Sequence, residues 1–295
     1  MKDFPIPVVS LLQPGAHQED ETLQYLSMPK EMDTYQPPAL PEPQDIREVP
    51  QALSVLRQVA AQLAQHGAVE PGLHAPATPA LSLRGLPPQA LQRVNQILGE
   101  GEASAVIEGD GQTPRIQVQE AIFAGVWRIL TVHQGQTLDD VIEVGPVPRL
   151  FQDIAREDAG PRAPRWSGDL PPQVQNAPML LQELEDQIAW WRPGQPAHVV
   201  NLSLLPVTPQ DIAFLDHHLG TGRLVILSRG YGNCRIIGTR RPHCWRVVYY
   251  NGADNVILNT VEVVDMPEVA KAAPEDLRDS HARLQDVLDY LEHTR

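Results

Sequence analysis

Residues 80–91 read ALSLRGLPPQAL and residues 201–212 read NLSLLPVTPQDI, so one pattern returns at an offset of 121 residues. The match continues with three extra residues in the first copy before a tryptophan–arginine pair, and one extra residue in the second copy after it. The corresponding residues are Gly101 and Gly222, Gly109 and Gly230, Gly111 and Gly232, Trp127 and Trp245, Arg128 and Arg246, and Glu143 and Glu262. Self-similarity over the length of a small domain indicates a duplicated unit. The sequence therefore predicts an N-terminal arm followed by two copies of one α+β unit.

Each copy shows the same order of local patterns: an amphipathic helix, a short strand, a proline turn, a second helix and then strands. In the second copy, Thr208 and Asp211 flank Pro209 as in a capped helix start. Residues 245–250 alternate as half-buried antiparallel strands do. We expect two tandem α-β-α-β-β-β units with mainly antiparallel sheets. Trp127 and Trp245 should occupy equivalent, partly buried positions.

Composition divides the chain into four segments. Residues 1–50 contain nine prolines, nine acidic residues and three basic ones, which predicts an extended Pro-rich arm that either docks in a groove or stays disordered. Residues 51–157 form the first repeat unit and residues 158–173 a proline-rich linker. Residues 174–295 form the second repeat unit with a C-terminal helix.

The formal charge of −14 argues against a nucleic-acid-binding surface, which needs clustered Lys and Arg, and suits a partner with basic segments. No apolar run reaches the roughly 18 residues of a membrane span. The acidic, proline-broken start differs from a secretory signal. Two cysteines cannot make a disulfide scaffold. We expect a cytoplasmic protein with reduced thiols, no cofactor and no membrane insertion.

The densest local motif is ILSRGYGNC at residues 226–234. Its glycines predict a tight turn between strands, because glycine supplies positive φ without strain. The first copy keeps both glycines but has Glu108 and Asp110 where the second has arginine and tyrosine. We therefore predict a protein-binding surface at Ser228, Arg229, Tyr231 and Asn233. In the alternative, Arg229 only pairs with a neighbouring carboxylate and Tyr231 only covers the sheet.

Cys234, His243 and Cys244 suggest a metal-binding or thiol-redox centre as the alternative function. Zinc sites usually show ligands paired two to four residues apart, and this set is incomplete, so buried thiols on neighbouring strands are the favoured interpretation. The run Asp216-His217-His218 predicts a solvated helix face, because adjacent helical residues point about 100° apart. Glu143 and Glu262 are equivalent in the two copies and lie on strands near the duplicated Trp-Arg motif, where a Glu–Arg pair across the sheet would be structural. No catalytic constellation is recognised, and we predict no enzyme activity.

Residues 119–128, QEAIFAGVWR, resemble a segment of the HupH/HyaF/HoxQ family of hydrogenase expression/formation proteins. Further segments agree with that family in order and spacing: residues 11–15 (LLQPG), 201–206 (NLSLLP), 228–232 (SRGYG), 261–269 (VEVVDMPEV) and 273–277 (APEDL). The resemblance covers nearly the whole chain from about Leu53 to Leu291, including the family's two tandem copies.

The resemblance implies an accessory protein for maturation of membrane-bound [NiFe] uptake hydrogenases. It implies a chaperone that binds the iron–sulfur small-subunit precursor before twin-arginine export, alongside a thioredoxin-like partner of the HyaE/HoxO type. The family has no established catalytic residue, so none is transferred to this chain. Two function classes remain: a maturation chaperone, and a metal or redox protein centred on the cysteines.

Overall fold

The computed structural model describes residues 40–69, 78–109, 112–160, 169–230 and 232–293. They form an α+β structure, as predicted, in two compact units. The N-terminal unit comprises the described residues of 40–151, with Ile226–Gly230 and 268–293. The C-terminal unit comprises the described residues of 152–225 and 232–267. Residues 1–39 of the predicted arm and 161–168 of the predicted linker lie outside the described residues.

The described residues contain seven helices, one 3₁₀ turn and ten strands. In chain order they are α1 (Pro43–Arg47), α2 (Pro50–Gly67), β1 (Leu81–Ser82), α3 (Pro88–Leu98), β2 (Ala103–Ile107), β3 (Arg115–Glu120), β4 (Val126–His133), β5 (Gln136–Val144), α4 (Arg149–Asp158), α5 (Ala177–Trp190), β6 (His198–Asn201), α6 (Pro209–Leu219), β7 (Leu224–Ser228), β8 (Asn233–Gly238), β9 (Cys244–Tyr250), β10 (Val256–Val263), the 3₁₀ turn (Glu268–Ala270) and α7 (Pro274–His293). Four strands, rather than the predicted three, follow the second helix of each copy, because the glycine-bearing turn separates two strands there.

In the N-terminal unit, five strands pair antiparallel in the order β1-β5-β4-β3-β2. Helix α2 begins at Pro50, a position where the missing N–H of proline costs no helical hydrogen bond. It packs with α1, α3, β5 and α7. Nine of its eighteen residues are buried, so α2 is covered on more than one side.

The last part of the predicted arm is helical rather than extended. Pro43 and Ile46 of α1 are buried, and Arg93 pairs with Asp45 at 2.8 Å. Because α1 packs against α2 and α7, its two apolar side chains gain burial that an extended, solvated arm would forgo. The arm prediction is therefore wrong for Pro43–Arg47.

Helix α7 lies in the N-terminal unit, although the sequence assigned it to the second repeat. Its buried leucines join the core that contains the apolar residues of α2: Leu277, Leu284, Leu288 and Leu291. Arg57 of α2 pairs with Glu292 of α7 at 2.9 Å. The apolar stripe of an amphipathic helix shows that the helix needs a partner but not which one. The predicted bounds follow the sequence repeat, whereas the contacts of α7 lie in the N-terminal unit.

In the C-terminal unit, four strands pair antiparallel in the order β8-β9-β10-β6. From Gln152 onward, α4 also belongs to this unit. The Gln152 side chain donates to Asp265 at 2.7 Å, and Asp158 pairs with Arg223 at 2.7 Å. The helix that ends the first copy thus completes the C-terminal unit, just as α7, at the end of the second copy, completes the N-terminal unit.

Trp127 on β4 and Trp245 on β9 occupy matching places. Each is 1% exposed, and each indole N–H donates at 3.0 Å to a main-chain carbonyl, that of Gly145 or of Val264. The predicted equivalence agrees with this geometry. Both rings are fully rather than partly buried, because a carbonyl inside the core satisfies the indole N–H.

The register of the first strand differs from the ungapped sequence match. The N–H of Leu83 donates to Asp140 O at 2.9 Å, and the N–H of Leu202 donates to Asn259 O at 2.8 Å. Leu83 and Leu202 are each 3% exposed, whereas Leu204, the match predicted for Leu83, is 82% exposed. The loop before α6 takes up the two-residue difference, because strand pairing and burial set the register.

Candidate functional site

The predicted binding turn joins β7 to β8. Ser228 is buried, Arg229 is exposed and Asn233 is half-buried, whereas Tyr231 lies outside the described residues. Gly232 has φ of 98°, the left-handed region where a side chain is strained. The predicted turn is therefore present, with Arg229 as its outward side chain and Ser228 directed into the protein.

The main chain of this turn is held while the Arg229 side chain points away. The Arg229 N–H donates to Glu102 O at 3.2 Å. Among the described residues, the Arg229 guanidinium forms no ion pair. In the first copy, Glu108 at the corresponding place pairs with Arg115 at 3.3 Å. At these corresponding positions the first copy therefore has an acidic side chain and the second copy a basic one.

Cys244 is the first residue of β9, and Cys234 on β8 lies opposite the other end of that strand. Cys234 is opposite Tyr249, five residues along β9 from Cys244, so the two cysteines are separated by roughly 16 Å along the strand. A disulfide needs Cα atoms within about 7 Å, and shared metal coordination needs closer approach still. The strand register therefore argues against one centre built from both thiols.

The protonation of the two thiols and the setting of His243 lead to the same conclusion. Burial raises the pKa of Cys234 and of Cys244 to about 12, which keeps both as unreactive thiols near neutral pH. His243 instead stacks on Trp191 with ring centroids 4.8 Å apart, and its Nδ1 lies 3.5 Å from Asp265. Within the described ranges, no group of three metal-ligating side chains occurs.

Asp216 is part of a half-buried ion pair, so the interpretation as a solvated helix face is wrong for this residue, whereas His217 is exposed. Arg246 NH1 donates to Asp216 at 2.9 Å, and Arg246 Nε donates to Asn259 at 2.6 Å. His218 stacks on Phe214 with centroids 4.1 Å apart. The sequence missed this arrangement because the partner of Asp216 is thirty residues away on β9.

In the first copy, Arg128 likewise binds one carboxylate and one side-chain amide, but these two partners have exchanged places between helix and strand. It binds Asp140 through two hydrogen bonds of 2.9 and 2.7 Å and Asn95 through one of 2.8 Å. Here the acid lies on a strand and the amide on a helix, whereas the second copy has the reverse. The arginines therefore do not pair with Glu143 and Glu262, which lie opposite Trp127 and Trp245 and hence on the other face of the strands. Glu143 instead accepts the Arg149 N–H at 3.1 Å.

The sequence prediction missed an exposed face on α5. Met179 is 78% and Trp190 is 76% exposed, and Glu183 and Asp186 lie between them on the same side of the helix. Beside Trp190, an open groove of about 440 Å³ is bounded by Trp191, Gln187 and the loop 195–198. Exposed Trp and Met side chains beside a groove are typical of interaction surfaces.

The corresponding face of α2 is entirely different. The two helices match at an offset of 125, since Ala52, Leu56 and Gln62 fall on Ala177, Leu181 and Gln187. The four positions of the α5 face then correspond to small or neutral polar residues on α2: Ser54, Gln58, Ala61 and Gln65. Comparison of the two helices at this offset would have revealed the face from the sequence.

Three comparisons place the chain among known proteins. A family model described as "HupH hydrogenase expression protein, C-terminal conserved region" matches residues 49–165 and again residues 174–291. The hydrogenase expression/formation protein HoxQ of Cupriavidus necator is 51% identical over 99% of both chains. HupH of Rhodobacter capsulatus is 40% identical over 98% of both chains.

Among solved structures, the hydrogenase expression protein HupH from Thiobacillus denitrificans matches 37% of this chain and 92% of its own, at 29% identity and a TM-score of 0.35. In the part of the chain that the structure describes, no helix is long and apolar enough to cross a membrane.

Proposed function

Because the chain belongs to the HupH family of hydrogenase expression proteins, we propose that it is a non-catalytic accessory chaperone in maturation of a membrane-bound [NiFe] uptake hydrogenase. The observation that carries the proposal is the 51% identity to a hydrogenase expression/formation protein over 99% of both chains. The acidic charge of −14 and the exposed side chains described above support a protein-binding role.

The proposed client is the iron–sulfur small-subunit precursor, bound in the cytoplasm before export. A thioredoxin-like accessory protein of the HyaE/HoxO type is the proposed partner in that step. Co-purification tests the client directly: the tagged small-subunit precursor should retain this chain, and the tagged large subunit should not. Normal small-subunit maturation in a strain that lacks this protein would contradict the proposal.

We place client contact at Ser228, Arg229, Tyr231 and Asn233. The exposed Arg229 guanidinium supports this, since arginine and tyrosine are common interface hot spots. Ser228 is buried, so its share would be to shape the turn. An Arg229→Ala/Tyr231→Ala variant should fold normally and bind the precursor at least about tenfold more weakly, because one hot spot is worth about 2 kcal/mol. Unchanged precursor binding by the folded variant would eliminate this site.

The proposal includes the repeat organisation. We treat residues 51–157 and 174–295 as two copies of one unit, joined by the linker 158–173, with α7 exchanged into the N-terminal unit. The arm 1–50 precedes them and includes the helix Pro43–Arg47. The double match of the family model and the matching tryptophan hydrogen bonds support it. Separate expression of the two copies tests the exchange, because each copy alone would lack the helix that completes its unit in the full chain.

A further inference from the structure

The exposed face of α5 has the geometry of a helix-packing seam. Met179, Glu183, Asp186 and Trp190 follow one another at spacings of four, three and four residues. Alternating spacings of four and three residues are those of the positions through which one helix packs along another. The stripe is about 16 Å long, from the rise of 1.5 Å per residue. A partner helix of three to four turns would cover it.

The chemistry along the stripe is apolar at both ends and acidic in the middle. Glu183 pairs with His198 at 2.8 Å, and Asp186 accepts a hydrogen bond from Gln182 at 2.7 Å. Both carboxylates lie on an exposed surface, in a chain whose net charge is −14. A partner helix with acidic or purely apolar residues opposite them would be repelled or would strip their hydration.

The groove beside Trp190 provides an anchor at one end of the stripe. Its floor is fixed: the Trp191 indole donates to Pro196 O at 3.2 Å, and the Arg192 N–H donates to Gln195 at 2.8 Å. A groove of about 440 Å³ accommodates one large apolar side chain of a partner. A groove next to an exposed tryptophan is a place where binding energy concentrates in protein interfaces.

We propose that this face of α5 binds an amphipathic helix of a partner protein, in which Lys or Arg lies between two large apolar residues eleven positions apart. The apolar residues contact Met179 and the Trp190 groove, and the basic residues pair with Glu183 and Asp186. The first copy lacks this site, since the same face of α2 carries Ser54, Gln58, Ala61 and Gln65. The inference goes beyond the proposed function and does not depend on which protein supplies the helix.

Synthetic peptides test the proposal on the full chain. The probe is a labelled 18-residue helical peptide with leucines eleven positions apart and lysines at the two seam positions between them. A second peptide replaces those lysines with glutamate, and a third has the first composition with a central proline that prevents a helix. Fluorescence anisotropy should show binding of the first peptide only. Equal binding of the second or third peptide, or no binding of the first, would overturn the proposal.

Variants of the chain locate the binding. Trp190→Ala should weaken binding of the lysine peptide by at least about tenfold, as loss of a hot spot does. Glu183→Gln/Asp186→Asn should also weaken binding of the lysine peptide, and by a larger factor at low salt than at high salt. The matched control is Glu268→Gln/Glu275→Gln, which removes the same charge from exposed residues that also make local ion pairs. It should leave the affinity within about twofold.

The control variant distinguishes binding at this face of α5 from general electrostatic attraction to the acidic chain. If the control variant loses as much affinity as Glu183→Gln/Asp186→Asn, the peptide binds the acidic chain nonspecifically and the site is refuted. Unchanged affinity of Trp190→Ala would refute it as well. Circular dichroism checks that Trp190→Ala remains folded. We expect this result because the Trp190 side chain is 76% exposed and contributes little to stability. Precursor binding is measured separately, so its failure would count against the proposed function alone.

Discussion

Helices α2 and α5 have the same apolar register and different surroundings. Ala52 and Leu56 of α2 are buried at the places where Ala177 and Leu181 of α5 are buried. Yet α1 and α7 cover further sides of α2, whereas α5 leaves Met179 and Trp190 largely exposed. The two helices therefore share a buried side and differ on the outer side.

One pair of corresponding positions shows how the difference is built. Ala60 of α2 corresponds to Glu185 of α5, and Phe123 corresponds to Arg241. In the N-terminal unit both residues belong to the apolar core. In the C-terminal unit Glu185 and Arg241 form an ion pair of 2.7 Å with both side chains 5% exposed. The same two positions thus hold apolar core residues in one unit and a buried ion pair in the other.

The largest expected effect comes from breaking that pair. Glu185→Ala should lower the free energy of unfolding by about 3–5 kcal/mol, because it leaves the Arg241 charge buried without its partner. Glu185→Ala/Arg241→Phe restores the residues of the first copy and should recover most of this loss, since apolar replacement of a buried pair is often neutral or stabilising. Urea unfolding measures both. A double variant no more stable than the single one would break the correspondence between the copies.

The second-largest expected effect on the free energy of unfolding comes from the contact between α7 and α2. Leu284 is fully buried, so Leu284→Ala should lower the free energy of unfolding by about 2–5 kcal/mol through lost apolar burial and the cavity left behind. The control is Leu204→Ala in the C-terminal unit, where the side chain is 82% exposed and the loss should stay below about 0.5 kcal/mol. Similar losses in chemical denaturation would show that α7 does not cover α2 in solution.

A pH-dependent effect distinguishes α6 from its counterpart α3. Burial of Asp211 opposes its ionisation, but hydrogen bonds from the backbone amides of Thr208, Ala177, Gln175 and Asn176 outweigh burial and lower the pKa of Asp211 from 3.8 to about 2. The folded-state pKa is the lower one, so the stabilisation is complete above pH 4 and disappears as the pH falls towards 2. A shift of this size corresponds to about 2 kcal/mol.

Asp211→Asn tests this linkage. The variant should be about 2 kcal/mol less stable at pH 7, and the difference in free energy of unfolding from the parent chain should shrink between pH 4 and pH 2. The corresponding residue of the first copy is Ala90, so Ala90 variants provide no such pH-dependent term. A difference that stays constant down to pH 2 would mean that the Asp211 carboxylate is not stabilised by the amides.

The smallest expected effect concerns the outer face of α5. Met179→Ser/Trp190→Gln gives α5 the residues found at the same places on α2, and should change the free energy of unfolding by less than about 0.5 kcal/mol per residue. Thermal unfolding followed by circular dichroism is sufficient to measure it. A loss above about 1.5 kcal/mol would show that these side chains are packed in the folded chain and are not available to a partner.

Much of the local structure was predictable from residue spacing. The helices α2 and α5, the capping box of Thr208 and Asp211 and the turn glycine at position 232 follow from periodicity and from backbone preferences within a few residues. The exposed face of α5 was equally predictable from the sequence, because only a comparison of the two helices α2 and α5 was needed. The burial of Asp216 was not, since its partner Arg246 comes from a distant strand.

The sequence by itself determined the α+β class, the internal repeat and the family, because these depend on patterns that lie along the chain. Only the tertiary structure decided that α7 packs on α2, that Cys234 on β8 lies far from Cys244 on β9, and that the register of β6 departs from the ungapped match. The physical reason is the same in each case. Hydrophobic burial and strand pairing are satisfied by contacts between segments distant in sequence, and a local pattern records the need for a contact without naming its partner.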